Sequence, residues 1–146
     1  MKEKIKNIFI QGPISPEFIA KSIEAHQLKK TIGAHNIFLG QVREDLIGGK
    51  KVNAIEFTAQ EDMANKVCHD IKENTFKKYD IHCMHIYHSL GIVKTGEVCI
   101  FVFVSAGHRD TVFNALHSVV DNVKEKAPIF GKEILEDHTH NWKENK

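Results

Sequence analysis

No apolar run in this 146-residue chain approaches the ~18 residues that a membrane-crossing helix requires. The opening residues, Met1-Lys2-Glu3-Lys4-Ile5-Lys6, lack the apolar stretch of a secretory signal, so a soluble, cytoplasmic protein is the expectation. Cysteine is scarce. Cys68, Cys83 and Cys99 are odd in number, widely spaced and free of any C-x-x-C pair, which argues against a disulfide framework or a zinc knuckle and fits a reducing compartment. An excess of either charge is also missing, because 20 Lys and Arg face 19 Asp and Glu. The chain therefore has no broad basic field for nucleic acid and no acidic tail, and an anion would have to be met by a local cluster. There is no internal repeat, low-complexity segment or linker. With 42% hydrophobic residues, a single domain over 1–146 is expected.

The chain carries regular hydrophobic patterns. Ile5 to Ile10 is β-branched and closed by Gly12-Pro13, which predicts a first strand. Ser15-Pro16 supplies an N-cap and a first helical residue, and Ile19 and Ile23 continue an apolar face to about His26. Gly33 to Arg43 reads as a strand and Val52 to Thr58 as its return, with the polar segment Glu44 to Lys51, containing Gly48-Gly49, as a mobile loop. Met63, Val67 and Ile71 mark a second helix from about Gln60 to Lys78, followed by a strand from Ile81 to His88. Val98 to Val104 has no polar alternation, so this strand should be buried on both faces at the centre of the sheet. Val112, Leu116, Val119, Val120 and Val123 trace a third helix, which Pro128 should end near Lys126. Ile134 to Trp142 reads as a polar tail with one short extended stretch.

Two places suggest chemistry. After the central strand, Ser105-Ala106-Gly107 leads into His108 and Arg109 at a helix start. Free backbone N–H groups and the positive end of the helix dipole favour an anion there, and arginine can grip it bidentately. At the other end of the same helix stands Lys124, with a proline-containing exit bringing Lys126 and Lys132 close. Burial beside Arg109 would favour its free amine, which could then attack an acyl group. The plainer reading is that a lysine in a last turn simply complements the dipole. Arg43, at a strand end, could reach into a pocket. His82, His85 and His88 lie close in sequence, but His82 and His85 point to opposite faces of a strand and no H-E-x-x-H or cysteine partner is evident, so no metal site is expected. Cys99 reads as an inert core residue.

Taken together, Phe38-Leu39-Gly40-Gln41-Val42-Arg43, His88-Ser89-Leu90-Gly91, Ser105-Ala106-Gly107-His108-Arg109 and Lys124-Glu125-Lys126-Ala127-Pro128-Ile129 resemble the MoaE family, the large catalytic subunits of molybdopterin synthase. The motifs run in order from about Gly33 to Trp142. The resemblance implies an α/β-hammerhead fold, in the α/β (α+β) class, with a mixed, largely antiparallel sheet and about three helices. It also implies a homodimer that docks two small β-grasp subunits, forming a heterotetramer. Each small subunit would end in a Gly-Gly thiocarboxylate, and sulfur would pass from it to cyclic pyranopterin monophosphate, giving the dithiolene of molybdopterin without a metal or other cofactor. By the same resemblance, Lys124 matches the catalytic lysine, and Arg43, His108 and Arg109 match the pterin and phosphate pocket. Gln41 and Val42 accompany Arg43.

This chain departs from the family in one segment. Where the family reads Pro-Ile-Trp-Lys-Lys-Glu, this chain has Pro128-Ile129-Phe130-Gly131-Lys132-Glu133, so a second functional lysine falls on Gly131. Gly131, Lys132 and Glu133 are carried over as substrate-binding positions, with Lys132 the candidate replacement as a second catalytic lysine. In an extended segment adjacent side chains face opposite ways, so Lys132 could serve only if Gly131 let the backbone turn. The alternative is a noncatalytic dimeric module that binds the β-grasp tail without completing transfer. A third reading is a phosphate-binding enzyme unrelated to sulfur transfer.

Overall fold

The computed structural model describes residues 4–144. Its elements are β1 (Phe9–Gln11), α1 (Pro16–His26), β2 (Ala34–Gln41), β3 (Leu46–Ile47), β4 (Lys50–Ala59) and α2 (Glu61–Lys78), then β5 (Ile81–Lys94), β6 (Val98–Ala106), α3 (Arg109–Lys126), β7 (Ile129–Leu135) and β8 (His140–Trp142). Three helices accompany a mostly antiparallel sheet of order β2-β6-β5-β4-β7-β8, with β1 parallel to β5 and β3 paired to β4. Among the described residues no helix is long and apolar enough to cross a membrane.

The apolar run of β6 is buried because helices cover both of its faces. Phe101 and Phe103 join Ile14 against Phe18, Ile19 and Ile23 of α1. Ile100, Val102 and Val104 instead meet Val112, Leu116, Val119 and Val123 of α3. α1 begins as expected, with the Ser15 hydroxyl accepting a hydrogen bond from Phe18 N–H at 3.1 Å and Pro16 at the first helical position.

The strand at the heart of the sheet is β5, which corrects the expectation for β6. It is 14 residues long, does not end at His88, and belongs to two sheet halves. Ile81 to His88 pair with β6, and Gly91 to Lys94 pair with β4. Gly91 sits between them at φ +85°, a backbone conformation that glycine tolerates and that turns the strand from one half into the other. Beyond the bend, Val42, Val52, Ile55, Phe57, Val93 and Leu135 form a second, smaller core.

Other boundaries moved for identifiable reasons. The first strand is only Phe9–Gln11, and a side chain takes up the backbone N–H just before it: Ile8 N–H donates to Asn65 Oδ1 at 2.9 Å. The segment expected to be a mobile loop is a hairpin, with Gly48 and Gly49 at φ +58° and +81° joining β3 to β4. The segment after Pro128 forms β7, which pairs with β4 from Ala59 to Val52, and the short extended stretch expected in the Ile134 to Trp142 tail is β8, which closes the edge.

Candidate active site

A cleft of about 960 Å³ opens where the C-terminal end of α3 meets the end of β2 and the β4–β7 pair. Lys124 projects from the last turn of α3, and Arg43 stands just past β2. Lys126 and Lys143 also line the cleft, against the acids Glu125 and Glu144. The balance of these six groups is positive, so the cleft is suited to an anion.

Arg43 is exposed, its Nε 3.4 Å from Asp45 Oδ1. That leaves most of the guanidinium fork facing water. Gln41 is exposed at the end of β2. Val42 lies behind them as a core residue of the smaller cluster, with its N–H bonded to Glu97 O and its carbonyl to Gly96 N–H. Its contribution is to fix the strand end from which Arg43 departs.

Two groups on the cleft wall were not assigned to the site from sequence. His88 is buried and meets the Phe57 ring edge to face at 5.0 Å. Its Nδ1 lies 2.8 Å from Ser89 O, and because a carbonyl can only accept, Nδ1 carries the proton and Nε2 keeps a lone pair. Burial pushes its pKa down to about 4; the Ser89 bond pulls the other way and the Lys124 charge adds to the lowering. His88 is therefore a neutral imidazole at pH 7. The second group is Cys99. Gly40 pairs with Ile100 and Gln41 with Val98, so Cys99 is the extra residue of a β-bulge. The bulge turns its side chain away from the α1 face, so that Cys99 packs against the edges of both cores, as its reading as a core residue expected, and also lines the cleft. Burial nevertheless raises the thiol pKa, with the Lys124 charge opposing, so Cys99 is protonated at neutral pH and unsuited to nucleophilic attack.

The expected residues do not all converge. His108 occupies the N-cap position of α3 in an extended conformation, without a side-chain capping bond, and Arg109 begins the helix. Both are exposed. Fifteen residues of helix separate Arg109 from Lys124, about 22 Å at 1.5 Å per residue. Burial of Lys124 beside Arg109 within one chain is thereby ruled out by helix length, and Lys124 is itself exposed.

Lys132 also falls outside the cleft. β7 is regularly extended through this point, Lys132 pairs in register with Glu56, and its Nζ lies 3.1 Å from Glu56 Oε1. Gly131 makes no turn that would bring it round, so Lys132 does not replace the missing lysine. Gly131 lies on the cleft side, where an added Cβ would come within 3.1 Å of Ile55 Cγ2 and 3.4 Å of Phe57 Cε1. Glu133 is buried and accepts from Asn141 Nδ2 at 3.3 Å, so its carboxylate is held inside the sheet edge rather than in the cleft.

Away from the cleft, His26, Cys83 and His85 bring ligand-type atoms within 4.8 Å of one another. The partner thought absent from the sequence is Cys83, which shares a strand face with His85, together with His26 from α1. The surroundings disfavour a cation. Lys29 Nζ sits 2.8 Å from Cys83 Sγ. Burial lowers the His85 pKa to about 4, and the charges of Lys6, His26, Lys72 and Lys29 add to that lowering.

The sequence matches the family model described as MoaE protein over residues 10–126. A rat protein named molybdopterin synthase catalytic subunit is 32% identical over 139 residues, covering 89% of this chain and 67% of its own. The chain thus spans about two thirds of that relative's length. The crystal structure of molybdopterin synthase from Staphylococcus aureus superposes with a TM-score of 0.81 at 26% identity, covering 97% of this chain and 99% of that one. A structure of the complex of subunits 1 and 2 of molybdopterin-converting factor from Helicobacter pylori has a TM-score of 0.80 over 94% of this chain and 90% of that one; at 17% identity it speaks to the fold alone.

Proposed function

The chain belongs to the MoaE family, and on that premise we propose that it is the catalytic subunit of a molybdopterin synthase, a sulfurtransferase. Sulfur would come from the C-terminal thiocarboxylate of a small β-grasp subunit and pass to cyclic pyranopterin monophosphate. No resident metal or cofactor takes part. The observation that carries this reading is Lys124, held at the end of a rigid helix in a cleft that has a positive balance of charge and that Arg43 also lines.

In this reading the partner's tail enters the cleft and its acyl carbon comes to rest at Lys124. The ammonium stabilises negative charge as it develops on the acyl oxygen during transfer, and an amine already positioned there avoids the entropic cost of bringing one in. His88 contributes a neutral lone pair and an apolar ring, which keeps a second positive charge out of the cleft floor. Arg43 offers donors to the pterin or its phosphate.

His108 and Arg109 enter through a second copy of the chain. A homodimer that places the start of one α3 against the cleft of its partner would add an anion-binding helix terminus and a guanidinium to the same substrate. We place the assembly in the cytoplasm, where Cys68, Cys83 and Cys99 stay as free thiols.

Gly131 and the outward-facing Lys132 favour the second reading, a dimeric module that captures the β-grasp tail without turnover. The two readings separate when wild-type protein is mixed with thiocarboxylated small subunit and cyclic pyranopterin monophosphate and molybdopterin is quantified. Product formation that disappears in Lys124→Ala supports the synthase. Tight partner binding with no product, unaffected by that substitution, supports the module.

A further inference from the structure

The cleft has a second lysine, delivered across a strand pair. β7 and β8 run antiparallel with Lys132 opposite Trp142, and the next pair outward sets Lys143 opposite Gly131, where Lys143 N–H donates to Gly131 O at 2.8 Å. Directly opposed residues of an antiparallel pair project to the same face, with Cβ atoms ~5 Å apart. Lys143 therefore stands beside Gly131, on the face turned away from Lys132 and Glu56. It lines the same cleft as Lys124. The charges of both lysines bear on the Cys99 thiol, opposing the burial that raises its pKa.

A side chain at position 131 would be crowded by Ile55 and Phe57, so a lysine there would require its neighbours to shift. We propose that Lys143 is the second ammonium of the cleft and holds, together with Lys124, the anionic C-terminal carboxylate or thiocarboxylate of the inserted tail. This rests on the synthase reading for the identity of the tail, and on the cleft geometry alone for the binding of a carboxylate. One ammonium at the acyl carbon and another across the cleft would fix the terminus from two sides, and each charge-assisted hydrogen bond restricts its rotation.

The test reads occupancy of the cleft by isothermal titration calorimetry. Full-length wild type, Lys143→Ala and Lys143→Arg would be titrated with a short peptide ending in a free Gly-Gly carboxylate, the same peptide as its C-terminal amide, and inorganic phosphate. Circular dichroism melting would confirm the fold of each variant. The proposal expects Lys143→Ala to weaken the carboxylate peptide at least about tenfold, Lys143→Arg to retain most of the affinity, and the amide to bind weakly and equally to all three. Equal binding of the carboxylate peptide by wild type and Lys143→Ala would overturn it. So would failure of the peptide to bind wild type, or a loss confined to phosphate, which would reassign Lys143 to the pterin phosphate. Carboxylate binding that depends on Lys143 in a protein that makes no molybdopterin would leave this inference standing while the synthase reading falls.

Discussion

The two ends of α3 differ in almost everything except their helix. At the C-terminal end, Lys124 emerges into a walled cleft with Arg43, His88 and Cys99 around it. At the N-terminal end, His108 and Arg109 stand exposed in front of uncapped backbone N–H groups. One end has walls and a floor, and the other has only donors. A rigid 18-residue helix holds them too far apart to meet in one chain, so sequence motifs that look like one site are two separate places, which the proposed homodimer would join.

Substitutions at the two ends sharpen this contrast. The largest effect belongs to Lys124→Ala, expected to lower the rate of molybdopterin formation by about 10²–10³ with an unchanged melting temperature, as for loss of a preorganised charge at the reacting centre. A rate within a few-fold of wild type would remove Lys124 from the chemistry.

Acid should act next most strongly, and at the cleft end. His88 is neutral in the folded protein to about pH 4, while an unfolded histidine binds its proton near 6.5. Both states are neutral above that range. As pH falls from 6.5 towards 4 only the unfolded chain gains the proton, so stability declines over that window, by about 3 kcal/mol in total from this one group. Urea unfolding at several pH values should show a shallower decline for His88→Gln, and also for Lys124→Ala, which removes the neighbouring charge. An identical decline in all three proteins would contradict the placement of His88 beside Lys124.

At the other end, Arg109→Ala should raise KM for the pterin by about tenfold to a hundredfold while leaving affinity for the small subunit intact, the cost of a charge-assisted anion contact. Steady-state kinetics with separate partner titration checks both. The smallest effect is expected at Lys132→Ala. Its partner Glu56 is partly exposed on the opposite face, so activity should stay within about twofold and stability within about 0.5 kcal/mol. A large loss of activity there would mean that β7 rearranges when the tail binds.

Legibility from sequence followed the range of the interactions involved. The apolar run of β6 and the valine stripe of α3 are one-dimensional patterns, and both were readable along with the Ser15-Pro16 helix start. The second half of β5, together with β7 and β8, depends on partners far along the chain, so neither its extent nor its order could be read locally. The site divided the same way. Lys124 and Arg43 sit at element ends that punctuation residues announce. Cys99 enters the cleft only because of a bulge, His26 meets Cys83 and His85 only through packing, and Lys143 meets Gly131 only through strand register. The alternating geometry that would have signalled Lys132's exclusion was visible in sequence once β7 was taken as extended.

The most direct test of a site built from opposite ends of two helices is complementation between defective variants, assayed at pterin concentrations well below the wild-type KM, where the raised KM of Arg109→Ala costs most of its activity. Lys124→Ala and Arg109→Ala proteins would be mixed, allowed to exchange subunits, and assayed for molybdopterin with thiocarboxylated small subunit. In a shared-site dimer each mixed pair carries one site with both defects and one with none, so activity should return to about a quarter of wild type. A mixture whose activity stays at the sum of its two parts would show that Lys124 and Arg109 do not serve one site across the dimer.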